Sequence, residues 1–280
     1  AGYLSSPDGQ RQVKRLDRVG VKSGLNFDDV RSLTIPVPPL PEQRRIAAIL
    51  DKADAIRRKR QETIRLTEEF LRSAFLDMFG DPVTNPKGWP RAPLKNLCTR
   101  ITVGWVGPMT SEYKDSGVPF LRSLNVRRGR AQEEDLKYVS PAFHAQLAKS
   151  KPSPGDVVSV RTGKPGVSCV IPTSLADANC SDLIVITCGP KLKPYFLCES
   201  LNFQLGDKKS IQGSTGAIQT HFNIGRARDF EVCVPPLPEQ RRYEELTGRV
   251  EESSLRQKRA LSEADDLFSS AVQRGFQGRL

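Results

Sequence analysis

The sequence predicts an α+β fold, a strand-rich domain flanked by two long helices packing as an antiparallel coiled coil, and three observations carry that expectation. The stretch Val37-Pro38-Pro39-Leu40-Pro41-Glu42-Gln43-Arg44-Arg45 recurs residue for residue at 234–242, an offset of 197. Each copy opens a long run in which apolar residues return every three or four positions, the period of an amphipathic helix. Between the runs, residues 81–233 change to short β-type stretches punctuated by Pro and Gly.

Residues 1–25 are polar, with Arg11, Lys14, Arg15, Arg18 and Lys22 and no sustained periodicity, and are expected to be loop and partial strand. From Asn26 the offset begins to match: Asn26 with Asn223, Arg31 with Arg228, Leu33 with Phe230, Ile35 with Val232, Val37 with Val234. Pro41 suits the first helical turn, where its missing N–H costs nothing, and Glu42 complements the helix dipole. The seam then runs Ile46, Ile49, Ala53, Ile56, polar Arg60, Ile64, Thr67, Phe70/Leu71, Ala74, Met78. From Pro41 to Phe79 this is a helix of about 58 Å, stopped by Gly80-Asp81-Pro82.

Under the same offset Tyr243, Leu246, Val250, Ser253, Gln257, Leu261, Ala264, Leu267/Phe268 and Ala271 repeat the seam, polar break included. Neither stripe can be buried alone, so the two helices are expected to pair, antiparallel because a domain separates them. Polar Arg60 and Gln257 at one level would fix the register. The boundaries are therefore 1–41, a segment ending in a Pro-rich elbow; 42–80, a helix; 81–233, the domain; and 234–280, elbow and helix. Strands are expected at 119–121, 156–160, 167–171 and 183–187, and helical patches near 141–149 and 194–206. The P-x-x-P pattern at Pro38–Pro41 also fits a polyproline ligand, but its repetition at the mouth of two helices favours a rigid elbow.

Composition narrows the function classes. At 280 residues with 38% apolar content the chain can bury a sizeable core. The longest apolar runs fall far short of a bilayer span, and the N-terminus lacks a signal pattern, so a cytoplasmic protein with no membrane partner is expected. Six cysteines form no C-x-x-C pair and only His144 and His221 could join them, so no metal site is expected. The cysteines read as small buried hydrophobes in a reducing compartment. Lys and Arg total 43 against 32 acidic residues, a net +11, and residues 81–233 hold 20 of the basic and 13 of the acidic ones. A basic domain between near-neutral flanks suits a nucleic-acid surface.

Three stretches of the domain carry the chemistry for it. In 120–130, Arg122, Ser123, Asn125, Arg127 and Arg128 stand together with Arg130, and arginine and asparagine can make paired hydrogen bonds to guanine and adenine edges. In 159–166, Arg161, Thr162 and Lys164 sit in a Gly-rich turn suited to phosphate. In 208–216, Gln212 lies in a polar loop. Each stretch can also be read as a solvated surface turn. No phosphate loop, amino-methyltransferase or H-E-x-x-H motif is present, so no catalytic residue is assigned. Glu133-Glu134-Asp135-Leu136-Lys137 faintly suggests a nuclease carboxylate–lysine set and is read instead as a solvated charge run.

The helix-opening Pro-Leu-Pro-Glu-Gln-Arg-Arg, repeated around a domain beginning Gly88-Trp89, resembles the DNA-specificity (S) subunit of type I restriction-modification systems. Pro119-Phe120-Leu121-Arg122-Ser123-x-Asn125-Val126-Arg127 and Pro154-Gly155-Asp156-Val157-Val158-x-Val160-Arg161-Thr162-Gly163 are similar to one group of its target-recognition domains. The resemblance implies a non-catalytic, sequence-specific subunit that reads double-stranded DNA and directs methyltransferase (modification) and restriction/translocase subunits. Ile46, Ile49, Ile56, Leu246, Val250 and Leu261 would serve the helix pair and partner docking. It implies no cofactor in this chain, with S-adenosylmethionine, ATP and Mg used by the partners. An alternative is the recognition portion of a fused restriction-methyltransferase enzyme. Residues 1 to about 35 resemble only the tail of a first recognition domain, as expected of a fragment, a truncated product or a half-subunit that forms a homodimer.

Overall fold

The computed structural model describes Leu4 and residues 7–16, 24–35, 37, 39–206 and 222–276. It separates into two compact units, Ala1–Glu69 with Val250–Leu280, and Phe70–Arg249. Among the described residues, no helix is long and apolar enough to cross a membrane.

The first unit opens with helix α1 (Pro7–Leu16), which corrects the expectation of loop and strand. Pro7 begins it, Asp8 lies in its first turn and Lys14 and Arg15 in its last, a charge order that complements the helix dipole. With only Val13 and Leu16 apolar, the segment has too little periodicity to be read as a helix. The side-chain amide of Gln12 reaches Thr34, donating to its carbonyl at 2.9 Å and accepting from its N–H at 3.0 Å.

Asn26 begins not a strand but the short helix α2 (Phe27–Arg31), through a capping box with Asp29. Asn223 caps α6 (Ile224–Asp229) in the second copy, accepting from the Arg226 N–H at 3.0 Å. Both elbows then turn alike. The amides of Glu42 and Gln43 donate to the Pro39 carbonyl at 2.9 and 3.0 Å, and those of Glu239 and Gln240 to Pro236 at 3.0 and 3.3 Å. They open α3 (Leu40–Phe79) and α7 (Leu237–Phe276), each 40 residues long.

Within the first unit Arg57 pairs with Asp265 at 3.5 Å, and Arg60 donates to the Ala260 carbonyl. Stepping back along α3 steps forward along α7, so the helices run antiparallel. The polar break thus serves as an interhelical link, with Arg60 level with Ala260. Ile46 is buried, and Ile49, Val250 and Leu261 are half-buried. Ile56 is a correction: it is 48% exposed, because the seam passes through Arg57 and Arg60 and leaves Ile56 on the rim.

In the second unit the strands are β1 (Arg91–Pro93), β2 (Cys98–Val103), β3 (Tyr113–Lys114), β4 (Val118–Leu121), β5 (Val126–Arg127), β6 (Arg130–Ala131), β7 (Lys137–Val139), β8 (Val157–Val160), β9 (Ser168–Val170), β10 (Asn179–Cys180), β11 (Leu183–Cys188) and β12 (Glu231–Cys233). Helices α4 (Pro141–Gln146) and α5 (Pro194–Leu201) complete it with α6. One antiparallel sheet has the order β2-β11-β8-β9, a second the order β10-β4-β7-β3 with β10 parallel to β4, and β1-β12 and β5-β6 form two-stranded ribbons. Both faces of the first sheet are covered. Ile184 and Ile186 enter one core with Val157 and Val170, while Leu183 and Val185 enter another with Val158 and Val160. That alternation explains why β11 reads as an unbroken apolar run.

The first core is where the long helices join the domain. Phe75 lies 5.0 Å from Phe79, 5.5 Å from Phe196, 5.2 Å from Phe203 and 5.4 Å from Tyr243, ring centre to ring centre. The last ten residues of α3 and the first turns of α7 therefore belong to the compact domain, whose limits are Phe70 and Arg249 rather than 81 and 233. The end of α3 is capped from the domain: Lys87 Nζ donates to the carbonyls of Asp77 (2.6 Å) and Met78 (2.8 Å), and Trp89 Nε1 to Phe79 (2.9 Å). Fully buried Gln240 accepts from the Lys193 N–H at 2.8 Å and donates to the carbonyls of Pro235 (2.8 Å) and Lys191 (3.2 Å).

Because Phe75 is fully buried among four other rings, Phe75→Ala is expected to lower unfolding stability by about 3–5 kcal/mol. Denaturant titration of the full chain checks it, and a loss comparable to that of a surface substitution would remove the cluster as the anchor.

Candidate nucleic-acid interface

Four segments converge at one edge of the domain, where β2, β4, β8 and β10 end. Ser181 N–H donates to the Leu121 carbonyl at 3.0 Å, Trp105 N–H to Cys180 at 2.8 Å, and Asp182 N–H to Trp105 at 3.0 Å. Gly104 permits this approach, since a Cβ there would lie 2.7 Å from the Cys180 carbonyl oxygen. Arg122 follows β4 and Arg161 follows β8, so the Ser181–Asp182 turn lies between them. Sequence-distant candidates are thus brought together.

Each of these arginines is held by an aspartate. Arg161 Nη1 lies 3.0 Å from Asp182 Oδ1. Arg122 Nη2 donates to the Asp135 carbonyl at 2.8 Å and approaches its carboxylate at 3.4 Å. Both arginines also keep a buried Nε–H without a hydrogen-bond partner. Those two nitrogens are shielded from solvent, as are the unmet hydroxyls of Thr102, Ser159 and Ser200 within the domain.

The rest of the arginine-rich stretch divides. Asn125 is a correction: it is 1% exposed, its Oδ1 accepts from Arg122 N–H at 3.0 Å and its Nδ2 donates to the Gln132 carbonyl at 3.2 Å. Its amide is spent on the turn and cannot read a base. Arg128 pairs with the buried Glu199 carboxylate and stacks 4.6 Å from the centre of the Phe203 ring, which Arg72 also approaches, at 4.9 Å. It pins the β5–β6 hairpin to α5. Ser123 and Arg127 are half-buried, while Thr162 and Lys164 are exposed. Arg127 and Lys164 make no ion pair among the described residues. The turn that carries Thr162 and Lys164 closes through Gly166, at φ 87, where a Cβ would overlap Leu205. Gln212 lies outside the described residues.

Sequence reasoning missed Asp135 and Asp182, the first because it stands in an acidic run and the second because an aspartate before an apolar strand reads as a turn residue. It also missed Trp105, Val106 and Leu124, which are 36%, 57% and 60% exposed. Exposed apolar side chains beside cationic ones suit base contact. Two of the thiols are shut into the domain's core. Burial pushes the Cys180 thiol up to about 12 and raises the thiol of Cys169 as well. Buried Asp156 accepts from Arg100 (2.5 Å), Thr187 (2.6 Å) and the Ser153 N–H (2.8 Å). Among the described residues no three His, Cys, Asp or Glu side chains gather as metal ligands would.

Fold and site define a class, an α+β domain with a cationic edge, flanked in sequence by two copies of a helix–elbow–helix unit. Comparison narrows it. Residues 7–67 match the family model described as "Type I restriction modification DNA specificity domain". The chain is 23% identical, over 314 aligned residues, to the Type I restriction enzyme EcoBI specificity subunit of Escherichia coli, with 100% of this chain and 64% of that protein covered. Among solved structures it is similar to a chain from "Structural basis underlying complex assembly and conformational transition of the type I R-M system", at TM-score 0.59 and 22% identity, covering 100% of this chain and 70% of that one. It is also similar to the type I restriction-modification S subunit from M. genitalium, at TM-score 0.57 and 14% identity, covering 95% and 69%. The chain resembles type I specificity subunits in sequence and shares their fold, and it spans about two-thirds of the length of the curated relative it matches.

The neighbouring arginines separate structure from surface. Arg128→Ala strands a carboxylate that is 10% exposed and is expected to cost about 3 kcal/mol. Arg127→Ala is expected to cost less than about 0.5 kcal/mol. Thermal denaturation of the two variants compares them, and equal losses would refute the assignment.

Proposed function

We propose that this chain is a non-catalytic, sequence-specific DNA-recognition subunit of a type I restriction-modification complex, one that directs methyltransferase and restriction/translocase subunits to their site. The observation that carries the reading is the edge at which Arg122 and Arg161, each following a separate strand, are brought to the two sides of the Ser181–Asp182 turn. On this reading Arg122 and Arg161, with Ser123 and Thr162, face base edges. Arg127 and Lys164, unpaired among the described residues, supply phosphate contacts that set the register. Similarity to a type I DNA specificity domain and to a type I specificity subunit supports the assignment. The setting would be cytoplasmic, and S-adenosylmethionine, ATP and Mg would belong to the partner subunits.

The first copy of the repeat supports a second recognition body. Phe27, Val30, Ile35, Val37 and Leu40 are 85%, 51%, 49%, 79% and 58% exposed. Their counterparts Ile224, Ala227, Val232, Val234 and Leu237 are buried or half-buried against the domain or its elbow. Further sequence of the same chain or a second copy in a homodimer would cover that face and restore reading of a two-part site.

Two measurements test the proposal. Co-purification with neighbouring gene products and methylome sequencing identify the site, and Arg122→Ala or Arg161→Ala is expected to weaken binding to it by roughly 1–3 kcal/mol with the melting temperature unchanged. Unaltered binding curves would remove this edge from the interface. Ile49→Lys combined with Leu246→Lys is expected to abolish co-purification of the methyltransferase subunit, and retained co-purification would sink the docking role of the helices.

A further inference from the structure

The two candidate arginines share an arrangement that the strand topology does not require. Each guanidinium is met by an aspartate whose own backbone is left-handed, Asp135 at φ 63 and Asp182 at φ 50. Among the described residues the one other non-glycine residue in that region is Asn85. Left-handed backbone is uphill for any residue with a Cβ, and least so for Asn and Asp. Little stability is returned for it, because the Asp135 and Asp182 side chains are 76% and 41% exposed and such ion pairs contribute little. Yet the same device appears at two unrelated turns of one edge.

Charge and hydrogen-bonding capacity separate here. Attraction to phosphate acts through net charge over a Debye length of roughly 8–10 Å. A carboxylate 3.0 Å from the Arg161 guanidinium cancels most of that field and repels an approaching phosphate oxygen. Hydrogen bonding to a guanine edge is short-ranged and needs only donors, of which a guanidinium has five. We infer that Asp135 and Asp182 are positioning residues that neutralise Arg122 and Arg161 toward the phosphate backbone while leaving their terminal Nη donors for base edges, so that neither arginine adds to affinity for unrelated DNA. The inference rests on the proposed DNA-recognition function and adds to it a means of discrimination by suppressing the wrong complex.

Asp→Asn isolates the charge, because asparagine keeps the shape and tolerates the same backbone. The probe is a random-sequence duplex, with affinity of the full chain measured across salt concentrations and each variant's melting temperature recorded. Asp135→Asn and Asp182→Asn are each expected to steepen the dependence of log affinity on log salt by about 0.9, one released counterion per freed arginine. Glu134→Gln, which removes a neighbouring exposed charge, is expected to leave the slope unchanged. The steepening by Asp182→Asn should vanish in an Arg161→Ala background, and that by Asp135→Asn in an Arg122→Ala background. Equal steepening by Glu134→Gln, steepening that survives loss of the arginine, or none in either variant would overturn the inference while leaving DNA recognition intact. A wild-type chain without salt-dependent affinity for duplex would instead overturn the recognition function, and this inference with it.

Discussion

Phe75 is the side chain on which the α+β domain depends most. It comes from α3 yet is fully buried in a core otherwise built from 79–243, in ring contact with Phe79, Phe196, Phe203 and Tyr243. Five rings from α3, the α5 region and α7 therefore meet in one cluster. Aromatic groups of this size dominate core energetics, and Phe75 stacks on Phe196 and Phe203 while meeting Phe79 tilted and Tyr243 edge-on. The Phe203 ring carries the consequence outward, for Arg128 lies on it and reaches Glu199. The hairpin next to the cationic edge is thereby referred to the helix ends rather than left to its two short strands.

Identical sequence in the two repeat copies meets different surroundings. Gln240 is buried and fastens the second elbow to the 191–193 segment, whereas Gln43, its counterpart, is exposed. In the second copy Glu231 pairs with Pro93 in the β1–β12 ribbon. Its counterpart Thr34 has both backbone groups bonded by the amide of Gln12, a side chain standing in for a neighbouring strand. Local sequence thus sets the cap and the elbow, which are the same in both copies. Burial of the apolar stripe follows from what lies against it.

The elements written in periodicity and punctuation were legible: both long helices, the strands at 119–121, 157–160, 168–170 and 183–187, and the helical patches that became α4 and α5. Failures came where a side chain rather than a pattern decides. α1 is a helix on capping and dipole terms with almost no apolar stripe. Ile56 satisfied the heptad count, but a straight helix drifts relative to a strict seven-residue repeat, and Arg57 faces the partner instead. At the site, residue type identified arginines without revealing their partners. Asn125 had the right chemistry and the wrong burial, and Arg128 and Arg122, six residues apart, have different roles because one meets a buried carboxylate and the other an exposed one.

That last contrast bears on how a basic domain discriminates. If all 20 basic residues of 81–233 acted on the phosphates, any duplex would satisfy them, and unrelated sequence would compete in proportion to its abundance. Here the cations fall into separate roles. Arg128 is tied into the fold, Arg127 and Lys164 stand unpaired among the described residues, and Arg122 and Arg161 are each paired with an aspartate. On the proposed function, long-range attraction and short-range reading would then be carried by different side chains. An arginine whose charge is already answered can improve a complex only by finding hydrogen-bond acceptors in the right place, and a base edge supplies those where a phosphate, repelled by the same aspartate, does not.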